Sequence, residues 1–250
     1  MLIMVATGII LVLAFIFSML GLGGAMLYIP VLHWFGYDFK SVAIPTGLLL
    51  NGITALSSAV FYFRAKMIDI KGSVPLIISS FIGAPVGAYF TKLVPTQTLI
   101  LLFAVSMLFA GGRMLMTSRR PEKEKMMELR LRMFVMSVGG FFIGFIAGLL
   151  GVGGGFLFVP MMIAMGYATK QAAATSAFVV IFSSFSGFAG HIAEGHFKWP
   201  LMIATAIAVI VASQIGAKVM KEKMKAQWIK QMFAVVLLGV AVKLLWKLFL

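Results

Sequence analysis

Apolar runs of about the length that a helix needs to cross a bilayer recur along this chain, separated by short polar loops that carry most of its basic residues. Six reach that length, at residues 41–63, 73–91, 98–116, 171–189, 199–217 and 228–250. Shorter apolar pieces, 2–20 with 25–35 and 133–150 with 155–168, flank two glycine-rich breaks. No run alternates with the period of two that a barrel strand requires. Helices are then the remaining way to satisfy the backbone in lipid, and the pattern predicts an all-α polytopic membrane protein.

The two breaks are copies of one another. "GLGGAMLYIPVLHWFGYDFK" (21–40) aligns with "GVGGGFLFVPMMIAMGYATK" (151–170) at a shift of 130, matching glycines, Pro30 with Pro160 and Lys40 with Lys170. Beyond them the shift becomes 129, pairing Thr46 with Thr175, Gly87 with Gly216, and "KMIDI" (66–70) with "GHFKW" (195–199). The chain divides into a first repeat (1–116), a basic linker (117–132) and a second repeat (133–250). Such duplication is common in transporters, whose substrate site then lies between the repeats near the bilayer midplane.

Charge orients the repeats. If each break is a single crossing, each half crosses four times and the halves are parallel. If each is the tip of a re-entrant or broken helix hairpin, the half adds three full crossings and the halves are inverted. The inverted scheme puts inside the loops with Arg64, Lys66 and Lys71, the seven cations from Arg113 to Arg132, Lys170, and the five from Lys218 to Lys230. That is 16 of the 21 lysines and arginines, against 13 for the parallel scheme. The expectation is two inverted repeats, both termini outside, with loops 113–132 and 218–230 cytoplasmic.

Composition agrees, with 62% hydrophobic residues, 11% charged and a mean hydropathy of +1.07, leaving no water-soluble domain among the 250 residues. The net charge of +14 sits in loops and reads as membrane orientation, not nucleic-acid binding. There is no cysteine, which excludes disulfides, thiolate catalysis and sulfur-ligated metals. The first apolar run lacks a basic n-region and a cleavage site, so it reads as a retained part of the fold.

Glycine tips inside a membrane expose backbone N–H groups, and a helix starting there presents a partly positive N-terminus suited to an anion. This makes Gly21, Gly23, Gly24, Ala25, Gly151, Gly153, Gly154 and Gly155 candidate substrate-binding positions. The plainer alternative is that such glycines only permit close helix packing, the reading given to Gly140, Gly144, Gly148 and the Gly83/Gly87 pair. A dinucleotide fingerprint is excluded by Phe156 at the third glycine position and the lack of a preceding strand.

No carboxylate or cation sits at mid-membrane depth, so no proton relay is predicted. The spans instead hold Thr46, Asn51, Thr54, Ser57 and Ser58, and Thr175, Ser176, Ser183, Ser184, Ser186 and Gln214. Most such hydroxyls bond to their own helix. The matched Thr46 and Thr175 stand out, and Ser176, Asn51 and Gln214 complete the candidate polar contacts. His33 and His191 are candidates for a proton or mouth role, while His191 and His196 bracket Glu194 at the interface. No nucleophile–base pair, carboxylate pair, metal cluster or cofactor motif is present.

"GLGGAMLYIP" and "GVGGGFLFVP", the following "AIPTG" and "AAATS", "GHFKW", "GAPVGA" and "SQIGAK" together resemble the sulfite exporter TauE/SafE family across both repeats. The resemblance implies an inner-membrane permease exporting sulfite, sulfonates or related sulfur-containing anions. It implies substrate contacts from the glycines of both breaks and from Thr175 and Ser176. The first repeat departs at Ala25 and at Thr46-Gly47. The function expected is alternating-access export of a small anion across the bilayer, driven by membrane potential. The alternatives are an anion channel or, from the serine-rich "IFSSFSG" (181–187), an intramembrane enzyme. Without arginine or lysine clamps in the spans, large polyanions are not expected as substrates.

Overall fold

A computed structural model describes residues 2–118 and 126–249, and within them the chain forms ten α-helices. The first repeat supplies α1 (Leu2–Leu20), α2 (Ala25–Trp34), α3 (Ile44–Arg64, entered through a π turn Phe39–Ala43), α4 (Ile70–Thr91) and α5 (Thr96–Thr117). The second supplies α6 (Leu129–Leu150), α7 (Gly155–Ala164), α8 (Thr169–His191, followed by a 3-10 turn Ile192–Glu194), α9 (Trp199–Lys223) and α10 (Ala226–Phe249). Part of the expected linker, 119–125, lies outside the described residues.

Among the described residues, eight helices are long and apolar enough to cross a membrane. The other two, α2 and α7, have ten residues each and reach about 15 Å, half a hydrocarbon core. This corrects the expectation of three long helices per half. The pieces 2–20 and 133–150 belong to full-length helices, so each half holds four long helices and one short one. Apolar counting began at 133 because Arg130 and Arg132 interrupt it, yet helix α6 starts at Leu129. Long cationic side chains in a first turn can extend to the surface and do not end a span.

Exchanging the two halves reproduces the packing. Helix α4 packs on α6 as α9 packs on α1, α4 on α8 as α9 on α3, and α3 meets α8 as α5 meets α10. The equivalent helices run in opposite directions where they meet. Along α3 and α8, Leu48 lies against Gly187 while Asn51 bonds Ser184. Along α5 and α10, Gly111 faces Leu237 and Lys230 reaches the carbonyl of Thr117.

Small residues set these contacts. A methyl on Gly83 or Gly87 would strike the carbonyl oxygens of Phe141 or Phe145, and one on Gly144 or Gly148 would strike the backbone of Ser80 or Ala84. Helices α4 and α6 therefore lie backbone to backbone, where van der Waals contact is the driving force that lipid cannot supply. Gly216 repeats the role of Gly87, meeting the carbonyl of Phe15 on α1. The core is centred on α3 and α8, whose spans are 67% buried against 39% for α1, α4, α5, α6 and α10.

Candidate functional site

Each glycine corner begins where a long helix ends. Gly151 closes α6 in the left-handed region (φ 75), which only glycine enters cheaply, and Gly21 (φ 70) does the same after α1. The chain then turns back through two more left-handed glycines into α2 or α7. The corners interlock: a methyl on Gly155 would meet the backbone of Leu22, one on Gly21 the backbone of Ala173, and one on Gly151 the side chain of Ile44. Both corners are buried throughout.

Both short helices point their N-termini at this centre, and one side chain occupies the space between them. The amide oxygen of Asn51, midway along α3, accepts the backbone N–H groups of Gly24 at 2.5 Å and Ala25 at 2.7 Å. Its Nδ2 donates to the hydroxyl of Ser184 on α8 at 2.7 Å. A methyl on Gly153 would collide with Asn51 and Ser184, so the second corner also approaches this pair. Ser183 donates to the carbonyl of Gly153 at 2.7 Å. Asn51, Ser183 and Ser184 are all fully buried.

The two corners differ in one respect. Helix α2 is capped by Asn51, while among the described residues no side chain accepts from the first N–H groups of α7, which follows Gly154 (φ 81). The position matching Asn51 under the repeat is Val180, which is buried and has no acceptor to offer. The first N–H groups of α7 are thus the ones left without a side-chain partner in the centre.

The remaining expected residues are dispersed. Ser176 donates to the carbonyl of Gly21 at 3.1 Å and braces the first corner. Thr175 lies away from the centre, where its hydroxyl accepts the N–H of Asp69 at 3.1 Å. Thr46 is buried and its hydroxyl has no hydrogen-bond partner. Gln214 donates to the carbonyl of Ser57 at 2.6 Å and joins α9 to α3.

The histidines are accounted for differently than expected. His33 lines a cleft of about 190 Å³ with Trp34, Phe39 and Gln97, its ring edge-on to Phe39. His191 is buried, 3% exposed, instead of lying at the interface. Its Nε2 lies 3.0 Å from the carbonyl of Gly148, and since a carbonyl only accepts, Nε2 carries the proton. The repeat explains this. Tyr62 occupies the matching position and donates to the carbonyl of Ser18 at 2.6 Å, so each residue satisfies a terminal carbonyl of the helix entering its corner. The signal was in the sequence, because Tyr62 and His191 are 129 apart.

The loops between helices cluster by end. Lys170 donates to the carbonyl of Lys221, the N–H of Met127 to the carbonyl of Met165, and the phenol of Tyr167 to Asp69 at 2.8 Å. Burial and the bond to Asp69 hold that phenol above its ordinary pKa. One end of the bundle therefore gathers loops 64–71, 126–132, 165–170 and 221–230. Lys40, His33 and Lys243 mark the other end, where Lys243 sits 3.7 Å from the centroid of the Trp34 ring. Among the described residues, no group of three or more metal-ligating side chains comes together.

Several proteins are similar over most of this chain. A probable membrane transporter protein of Bacillus subtilis, YunE, is 28% identical over 253 residues, covering 92% of each chain. A probable membrane transporter protein of Methanocaldococcus jannaschii, MJ0441, is 27% identical over 217 residues, 81% of this chain and 80% of that one. A second from Bacillus subtilis, YdhB, is 26% identical over 212 residues, 82% of this chain and 85% of that one. No solved structure gives a significant match. The model of the sulfite exporter TauE/SafE family matches residues 6–244, and the protein accordingly belongs to that family, as a multi-pass membrane transporter and not an enzyme.

Proposed function

We propose that the protein exports a small sulfur-containing anion, such as sulfite or a short sulfonate, by alternating access of two inverted halves about the paired glycine corners. The observation that carries this reading is the convergence of two half-length helices on one buried centre, with the N–H donors of α7 free of side-chain partners. A helix N-terminus of this kind carries roughly half a positive charge and favours an anion. Hydroxyls of Ser183 and Ser184 stand beside it and would add donors once released from their present partners. Ser176 stays with the first corner through the carbonyl of Gly21, and Thr46 and Thr175 would line the paths to the centre.

Inversion draws support from the antiparallel contact of α3 with α8 and of α5 with α10, the equivalent members of the two repeats. The basic end is assigned to the cytoplasm because lysine and arginine are enriched in cytoplasmic loops. Alternation draws support from the burial of both corners: an anion reaches the centre only when one end opens.

Voltage suffices as the driving force. Moving one negative charge out of a cytoplasm-negative cell yields about 2.3 kcal/mol per 100 mV, and among the described residues no buried carboxylate is available to couple a proton. The test is efflux of sulfite and short sulfonates from proteoliposomes at imposed potentials of both signs. Saturable flux that reverses with the potential is expected. Flux that ignores potential and requires a pH gradient would overturn the voltage-driven mechanism.

A further inference from the structure

Two adjoining hollows on the basic end have no role in the transport reading. The first, about 460 Å³, is walled by Phe63, Ile68 and Ile70 and carries Arg64 and Lys66 on its rim. Both residues are exposed, and among the described residues neither the Arg64 guanidinium nor the Lys66 ammonium has a hydrogen bond or an ion pair. The second, about 190 Å³, shares Phe63 and Arg64 with the first and is otherwise apolar, formed by Leu56, Ala59 and Val60 of α3 and by Phe178 and Ile181 of α8. It follows α3 back from Arg64 to Leu56, about 12 Å toward the middle of the membrane. Phe63, Val60 and Leu56 are 58%, 42% and 46% exposed, so no described part of this chain covers the groove.

Two unpaired cations at the end of a span, opening directly onto a lipid-facing apolar groove, have the dimensions and chemistry of one kind of molecule. We infer that this composite site holds an anionic phospholipid, its phosphate between Arg64 and Lys66 and an acyl chain along Leu56, Val60, Phe63, Phe178 and Ile181. Basic pockets between transmembrane helices take such headgroups. A zwitterionic lipid would bring a choline or ethanolamine cation to the same two positive charges and gain less. The groove bridges α3 and α8, one from each repeat, so the bound lipid touches both halves at their seam.

The test uses the full-length protein purified in detergent and stripped of lipid. Retention of added phosphatidylglycerol or phosphatidylcholine is read by native mass spectrometry, and the thermal midpoint is followed with each lipid and with inorganic phosphate alone. Phosphatidylglycerol should be retained and should raise the midpoint, while phosphatidylcholine and phosphate should do neither. In the Arg64→Gln/Lys66→Gln double variant, retention should weaken about thirtyfold, the loss expected for two cation contacts to an anionic lipid. A Val60→Trp variant, which fills the groove and leaves both cations in place, should also lose the lipid. Lys223→Gln/Lys225→Gln, on the same end, should keep it. Equal retention of the two lipids, or unchanged retention in the double variant, would overturn the assignment. An equal shift with phosphate alone would reassign the cations to a free anion. A groove shielded by a second copy of the chain would show as a dimer mass that the Val60→Trp variant lacks.

Discussion

The two glycine corners are built from one template and finished differently. In the first, Asn51 ties down the N-terminus of α2 and reaches across to Ser184; in the second, Val180 stands at the matching place and the N-terminus of α7 keeps its donors. A symmetric scaffold thus carries an asymmetric centre. The difference teaches that duplication supplies the architecture, while a single amide decides which corner has its N–H donors taken by a side chain.

Removing that amide is the most severe way to break the comparison. Asn51→Leu would leave two buried N–H groups and Ser184 without their partner, at about 1–3 kcal/mol for each unsatisfied group. The expected result is a fall in thermal midpoint on the order of 10 °C, together with loss of transport. A variant with a wild-type midpoint would mean that Asn51 is not holding the corner.

The converse change sharpens it. Val180→Asn gives α7 the cap that α2 already has, so the midpoint should hold or rise by a few degrees, a cap being worth about 1 kcal/mol. Transport should nevertheless drop at least about tenfold, because the introduced oxygen occupies the proposed anion donors. Unimpaired efflux from this variant would remove α7 from the substrate site.

Tyr62 and His191 offer a gentler probe. Tyr62→Phe and His191→Phe each strip a hydrogen bond from a helix-terminal carbonyl and should cost about 1 kcal/mol. His191→Tyr borrows the solution used in the other half and should retain stability and transport, with an unchanged pH dependence of efflux between pH 5.5 and 7.5. A pH profile that flattens in His191→Tyr would instead make His191 a proton carrier.

The smallest effects belong to the matched lysines. Lys40 bonds the carbonyl of Val94 and Lys170 that of Lys221, each at 2.9 Å, as cations near the C-terminal ends of α4 and α9. Replacement by methionine should cost roughly 0.3–1 kcal/mol, less for Lys170, whose bond is exposed. A larger loss at Lys170 than at Lys40 in paired melts would contradict this ranking.

Much of the fold was legible from particular residues. The repeats announced themselves in Gly21–Lys40 and Gly151–Lys170, and the small-residue spacing at Gly83/Gly87 and Gly140/Gly144/Gly148 pointed to the α4–α6 seam that the packing contains. Helix α6 reads as too short, since hydropathy counting stops at Arg130 and Arg132 and does not see that a helix continues through a charged first turn, whereas α1 has the bounds of its apolar run and is set apart only by the glycine break that follows it. Of the candidate site, the glycines of both corners and Asn51 come together. Gln214 reads like Asn51 in sequence, yet it bonds Ser57 at the side of α9. Polarity within an apolar run says that a partner must exist and is silent about which partner it is.

The sequence by itself determined the class of protein, the duplication, the places where glycine must bend the chain and the ends at which basic loops gather. These are properties of short stretches, set by solvent, helix period and backbone strain. Tertiary structure alone decided that Asn51 bridges the repeats, that Thr175 serves Asp69 at one end, and that His191 is buried beneath a carbonyl. Each of these joins residues tens to more than a hundred positions apart. Such a contact is chosen only when whole helices have packed and every buried polar group has had to find a partner.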